Sequence, residues 1–306
     1  MSRILSALTG NAALMLTLTT LFWGGNAVAG KFAVGHISPL LLTAARWGLA
    51  AVILLILGRR HLRRDWPVIR ARLPYLFAMG ALGFAAFNGF FYTALLYTTA
   101  INTTIIQAAM PMFIFILSFL FFRDRTSPAQ AMGYSLTLGG VAVAALRGEF
   151  GEIAEFGINR GDLIMLVAAV FYAAYSVALK AKPKIHWLSF LAVLITSAAI
   201  TAIPLALYES TTDSFIWPAT ATGWSVVAYT AIFPSILAQG FYIRGVELLG
   251  GNKSAMFLNL VPIFGALLSV ALLGETFHIF HGVALTLVIA GIVLAQRLSA
   301  RRQGFG

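Results

Sequence analysis

The chain has no cysteine, so disulfides, thiol nucleophiles and thiolate metal sites are excluded. Charge is scarce as well: only 10% of the 306 residues are Asp, Glu, Lys or Arg, where a soluble domain carries about 25%. Carboxylates number 10 and histidines 5. Every one of them falls in a connection or near the end of an apolar run, none at its centre. Intramembrane hydrolysis needs a Ser/His pair, an aspartate pair or a metal cluster at depth, and none is present, so no enzyme is expected. The Gly/Lys loop that cradles nucleotide phosphates is also missing, which excludes ATP as an energy source. With no deep titratable residue, the buried-carboxylate proton exchange of many pumps is disfavoured.

What is present is apolar. Hydrophobic residues make up 60% of the chain and mean hydropathy is +0.89, more than a soluble core of this size can absorb. Ten runs reach the roughly 20 residues that a span requires: 11–30, 39–58, 74–97, 102–122, 128–146, 161–180, 187–208, 223–243, 252–273 and 277–296. The fold class read from them is an all-α membrane protein. The N-terminus, "MSRILSALTGNAALMLTLTT", runs straight into the first run with no small-residue cleavage site, so it reads as an uncleaved span.

The net charge of +11 is not a nucleic-acid signal, because the basic residues cluster in short loops. One set of connections holds Arg3, the arginines from Arg59 to Arg72, Arg123, Arg125, Lys180, Lys182, Lys184, Arg244, Lys253 and the arginines from Arg297 to Arg302. The alternate set holds Lys31, Arg147 and Arg160. Basic loops stay cytoplasmic, which places both termini inside and the acidic "GEFGEIAE" linker outside.

An internal repeat organises the runs. "MPMFIFILSFLFFRD" lies over "VPIFGALLSVALLGE", bringing Pro111 onto Pro262 and Asp124 onto Glu275. "NGF" at Asn88 lies over "QGF" at Gln239. "FWGGNAVAGK" lies over "FYAAYSVALK". The halves, 11–146 and 161–296, are joined by a linker at 147–160 and followed by a cytoplasmic tail at 297–306. Five spans per half is odd, so the halves enter the membrane in opposite directions, as two inverted five-helix repeats totalling ten transmembrane helices. Interrupted helices at matching positions mark the binding site in such folds. Pro111 and Pro262, together with Gly89 on span 3 and Gly240 on span 8, are therefore candidate hinges. The competing reading is a static kink that serves packing.

These stretches carry a family resemblance. "LFWGGNAVAGKF", "PLLLTAARWGLA", "ALLYTTAINTTIIQAAMPMF" and "FFRDRTSPAQAMGYSLTLGGVAV", echoed by "GNKSAMFLNLVPIFGALLSVALLGETFHIFHGVALTLVIAGIVLA", resemble the drug/metabolite transporter superfamily, specifically chains with two EamA-type domains. Within it the chain is most similar to the YddG-type aromatic amino-acid exporters. The resemblance implies export of amino acids or related metabolites across a bacterial inner membrane, with a central cavity built mainly by spans 1, 3, 4, 6, 8 and 9. The alternative is a proton-coupled exporter of drugs or other metabolites.

Polar groups at membrane depth are default site candidates. They are Asn88 with Phe84 and Phe87 on span 3, Gln107 on span 4, Gln239 and Tyr242 on span 8, Asn259 on span 9, and Trp23 and Tyr172 on spans 1 and 6. Uncharged hydrogen-bonding groups among aromatic rings suit a zwitterion with an apolar side chain. The same amides could instead bond between helices, worth about 0.6 kcal/mol on average. Arg46, the basic residue well inside a span, is either a carboxylate anchor or a structural pair with carbonyls at helix ends. Lys31 and Lys180 are expected to snorkel to opposite faces. The expected partners are a small molecule and the bilayer, with no nucleic acid, no cofactor or metal, and a monomeric state.

Overall fold

The computed structural model describes residues 11–123, 128–148 and 159–303. Asp124, most of the 147–160 linker and the first ten residues lie outside it. Among the described residues there are helices and no strands. We number them α1 (Ala12–Phe32), α2 (Pro39–Ala71), α3 (Leu73–Ala94), α4 (Ala100–Phe122), α5 (Pro128–Ala145), α6 (Arg160–Ala178), α7 (Trp187–Glu209), α8 (Ala221–Leu249), α9 (Gly251–Phe257 and Leu260–Leu273) and α10 (Ile279–Gln303). Side-chain caps start several of them. Asn11 accepts from Leu14 N at 3.0 Å, Thr99 from Asn102 N at 3.1 Å and Thr220 from Gly223 N at 3.1 Å, each satisfying a backbone donor that the first turn leaves open.

Seven of these helices, α1 to α4 and α6 to α8, are long and apolar enough to cross a membrane. Leu260–Leu273 and Ile279–Ala295 are apolar but shorter. A break at Leu258 and Asn259 shortens α9, and three glycines with Gln130, Tyr134, Ser135 and Thr137 dilute the hydropathy of α5. α2 also runs 13 residues past its expected end at 58, through the arginine-rich stretch to Ala71. Arginine and leucine are good helix formers, so loss of hydrophobicity there does not mean loss of helix.

The packing has an internal order. α2 lies along α7 and α5 along α10; α1 meets α8 and α9 as α6 meets α3 and α4; α2 meets α8 as α7 meets α3. Replacing each helix by the one five places away maps this set of contacts onto itself. Where α5 crosses α10, small residues let backbones touch: a Cβ at Gly133 would lie 2.5 Å from the Gly291 carbonyl oxygen, and one at Gly140 would lie 2.7 Å from that of Ala284. Membrane helices associate through such close approach, since lipid supplies no hydrophobic drive between them.

Three carboxylates fasten the N-terminal ends of other helices. Glu209, ending α7, accepts from Leu40 N at 3.2 Å and Leu41 N at 2.8 Å at the start of α2. Asp65 on α2 accepts in turn from His186 N at 2.8 Å, at the start of α7. Glu275, past the end of α9, accepts from Ala100 N at 2.8 Å and Ile101 N at 3.0 Å at the start of α4. Anions at helix N-termini pair with unsatisfied N–H groups and with the helix dipole. Glu275→Ala should therefore lower stability by about 1–2 kcal/mol, read as an earlier unfolding midpoint in detergent. An unchanged midpoint would mean that water replaces the carboxylate at no cost.

Lys31 departs from its expected role. Its Nζ turns inward and donates to the carbonyls of Leu95 at 2.9 Å and Thr98 at 2.8 Å, capping the C-terminal end of α3. Unpaired carbonyls at that end outcompete the membrane surface for the ammonium. Asp162 sits in the first turn of α6 as expected, but fully buried, accepting from Thr98 Oγ1 at 2.6 Å and Asn102 Nδ2 at 3.4 Å.

Candidate functional site

α4 and α9 are each broken at corresponding places. Ala109 N reaches back three residues to Ile106 O at 3.0 Å, and Asn259 N reaches Met256 O at 3.4 Å. Helix resumes at Met110 and at Leu260. Pro111 and Pro262 thus lie in the first turn of a restarted helix rather than at a bend within a continuous one. A missing N–H has no consequence in a first turn, and the fixed φ of proline suits it. The expected kink is therefore a single tightened turn just before each proline, with right-handed backbone throughout.

α3 and α8 are interrupted differently. Each contains a π-helical turn, Ala81–Ala86 and Phe233–Leu237, again at corresponding positions. Such turns leave backbone groups poorly paired and recur at functional sites. Indoles satisfy them here: Trp47 Nε1 donates to Phe84 O and Trp23 Nε1 to Pro234 O, both at 3.2 Å.

These four irregular helices, with α1, α2, α6 and Ile292 of α10, surround a cavity of about 310 Å³. Trp23, Phe84, Phe87, Asn88, Gln107, Pro111, Tyr172, Gln239, Asn259 and Arg46 all line it. Among the described residues no acidic side chain does. One wall is aromatic: Phe84 lies 5.3 Å from Tyr175, and Phe87 5.3 Å from Tyr172, between ring centroids. The side-chain oxygen of Gln107 is buried with no hydrogen-bond partner.

Four other candidates lie away from the cavity. Tyr242 stands behind Trp23, its ring centroid 5.5 Å from the indole. Pro262 is buried in α9. Gly89 faces Leu40 of α2, and Gly240 faces Trp187 of α7. A helix turns by about 100° per residue, so when Asn88 and Gln239 point into the cavity, the glycine after each points aside. Neither glycine adopts an unusual backbone angle.

Arg46 is the centre of a buried network. It is 4% exposed. Its Nε donates to Ser235 Oγ at 2.8 Å, and its Nη1 to Asn88 Oδ1 at 2.6 Å, to Asn26 Oδ1 at 3.1 Å and to the Tyr92 hydroxyl. Tyr92 donates to Asn26 Oδ1 at 2.9 Å, Asn88 Nδ2 to Phe84 O at 2.9 Å and Ser235 to Thr230 O at 2.7 Å. The guanidinium lies over the Trp47 ring at 4.5 Å. The expected alternative partners, carbonyls at helix ends, are not the ones used: all four acceptors are side chains.

Sequence reasoning missed Trp47, Tyr92 and Ser235. Two of them had a signal. Trp47 is adjacent to Arg46, and Tyr92 lies one turn after Asn88, on the same helix face.

The comparisons with known proteins agree with this architecture. A solved crystal structure superimposes with a TM-score of 0.64 over 95% of this chain and 98% of its own, at 22% identity, a likeness of fold. The uncharacterized transporter YyaM of Bacillus subtilis (strain 168) is 28% identical, covering 94% of this chain and 93% of that protein. A probable terminal-alkyne amino-acid exporter of Streptantibioticus cattleyicolor is 26% identical, with 94% of each chain covered. The profile of the EamA-like transporter family matches twice, over residues 10–146 and 159–296. With a match on each side of the linker and nearly the whole chain covered, the protein belongs to the EamA-like transporter family, multi-pass membrane transporters.

Proposed function

We propose that this protein exports amino acids, aromatic and other neutral ones, or related small metabolites, by alternating access about the central cavity. The observation that carries this reading is the lining: uncharged amides from α3, α4, α8 and α9 among aromatic rings, with no carboxylate. At about 310 Å³ the space is at the small end of ligand pockets, which suits a metabolite better than a drug. Without an acidic lining residue, a lipophilic cation finds no counter-charge and an exchanged proton finds no carrier, so flux runs by facilitated diffusion. The amino-acid exporter among the relatives supports the substrate class.

In this reading ten passes form two inverted repeats, 11–146 and 161–296, in a bacterial inner membrane with both termini cytoplasmic and the protein acting as a monomer. The breaks before Pro111 and Pro262 let the halves of α4 and α9 swing separately. Counterflow tests it. Proteoliposomes preloaded with unlabelled phenylalanine, methionine or threonine, with no ion gradient, should accumulate the labelled amino acid from outside. Accumulation only when a pH gradient is imposed would replace facilitated diffusion with proton coupling.

A further inference from the structure

We propose that Arg46 is the carboxylate receptor of the cavity, so that the transported solute must carry a carboxylate; this rests on the transport reading above. Four observations converge on it. First, the guanidinium is buried in a span, yet among the described residues no Asp or Glu pairs with it. Removing an unpaired ion from water costs several kcal/mol. Four neutral acceptors hold the charge in place without neutralising it.

Second, among the described residues the hydrogen bonds leave one nitrogen of the group without a partner. Nε and Nη1 make all four, while Nη2 makes none within the protein. Arg46 nevertheless lines the cavity. The Nη2 N–H donors are open to a carboxylate oxygen, and charge-assisted bonds of this kind are about twice as strong as neutral ones.

Third, the acceptors are themselves held. Asn88 is oriented by its bond to Phe84 O, and the Asn26 oxygen is shared with the Tyr92 hydroxyl. The guanidinium plane is therefore fixed before any solute arrives, and a receptor fixed in advance loses little entropy on binding.

Fourth, the cavity has a second unsatisfied group of the opposite kind. Gln107 Oε1 is buried and accepts nothing. A solute whose carboxylate meets Arg46 can set its apolar part against Phe84, Phe87 and Tyr172, and a turn of the Gln107 side chain would bring its unpaired oxygen to an ammonium or hydroxyl donor. A carboxyl-free cation meets the uncompensated positive charge and is excluded.

The experiment is competition in the counterflow assay, using phenylalanine, hydrocinnamate, which lacks the amine, and phenylalaninamide, which lacks the carboxylate. Hydrocinnamate should compete with labelled phenylalanine, and phenylalaninamide should be at least tenfold weaker than phenylalanine. Arg46→Gln, if it purifies folded, should lose at least tenfold in apparent affinity for phenylalanine. Should that variant fail to fold, the ligand series on the parent protein decides alone. Equal competition by phenylalaninamide and phenylalanine would overturn the proposal, as would undiminished affinity in folded Arg46→Gln. Exchange of labelled choline or tetraphenylphosphonium with no exchange of any carboxylate would overturn it together with the amino-acid reading above, leaving only the family-level role of a transporter. No exchange of either group would remove both.

Discussion

Asn88→Asp should produce a protein about as heat-stable as the parent and unable to exchange carboxylate solutes. The Asn88 oxygen already lies 2.6 Å from Arg46 Nη1. Replacing the amide with a carboxylate of the same shape puts an anion where the guanidinium now has a neutral acceptor. The substitution removes one bond, from Asn88 Nδ2 to Phe84 O, worth about 0.5–1.5 kcal/mol. Phe84 O keeps its bond from Trp47 Nε1, and the new charge pair offsets the loss. Arg46 is then neutralised from within, and an incoming carboxylate meets a repelling neighbour. We expect a fall of about a hundredfold or more in apparent affinity, or about 2.8 kcal/mol, with the melting midpoint close to that of the parent.

Asn88→Leu is the informative contrast. It removes the acceptor and supplies nothing, which should destabilise by about 1.5–3 kcal/mol, the range for hydrogen bonds to charged groups. A stable Asn88→Asp protein with parental phenylalanine counterflow would show that Arg46 serves only to tie α2 to α1, α3 and α8.

Gly133→Leu should act in the opposite way, reducing stability and leaving substrate recognition alone. A Cβ there would sit 2.5 Å from the Gly291 carbonyl oxygen and 2.9 Å from the Ala295 backbone nitrogen. Backbone on an apposed helix cannot turn aside as a side chain can, so α5 and α10 must separate. Overpacking alone costs about 1–3 kcal/mol, and a leucine in that gap also breaks the close contact along both helices. The expected readout is an unfolding midpoint lower by several degrees and a poor yield of monodisperse protein. In the surviving folded fraction the ranking of competing substrates should be unchanged, because neither Gly133 nor Gly291 touches the cavity. A parental midpoint would mean that the two helices slide apart without penalty. An altered ranking would mean that their packing reaches the site, through Ile292 on its wall.

Hydropathy, the absence of deep carboxylates and the self-match of the chain were enough to read an all-helical membrane protein and to nominate its polar residues at depth. Those signals are local. A run of apolar side chains needs lipid whatever its neighbours are, and an amide inside such a run is conspicuous by composition alone. Asn88, Gln107, Gln239 and Asn259 could be picked out that way, and all four line the same cavity.

What composition does not encode is the direction of a side chain around a helix and the partner it meets. Gly89 and Gly240 follow cavity residues by one position and turn away from it. Tyr242 shares a helix with Gln239 yet stands behind Trp23. Lys31 had the profile of a snorkelling residue until α3 ended beside it with carbonyls unpaired. The clearest case is Arg46. Its sequence neighbourhood leaves both a structural pair and a substrate anchor open, because both need only a cation within a span. Packing decides among partners: α1, α3 and α8 bring two amides, a phenol and a hydroxyl to the guanidinium, and no carboxylate. The location of a charge along the chain is a property of sequence; what neutralises it is a property of the helices that meet there.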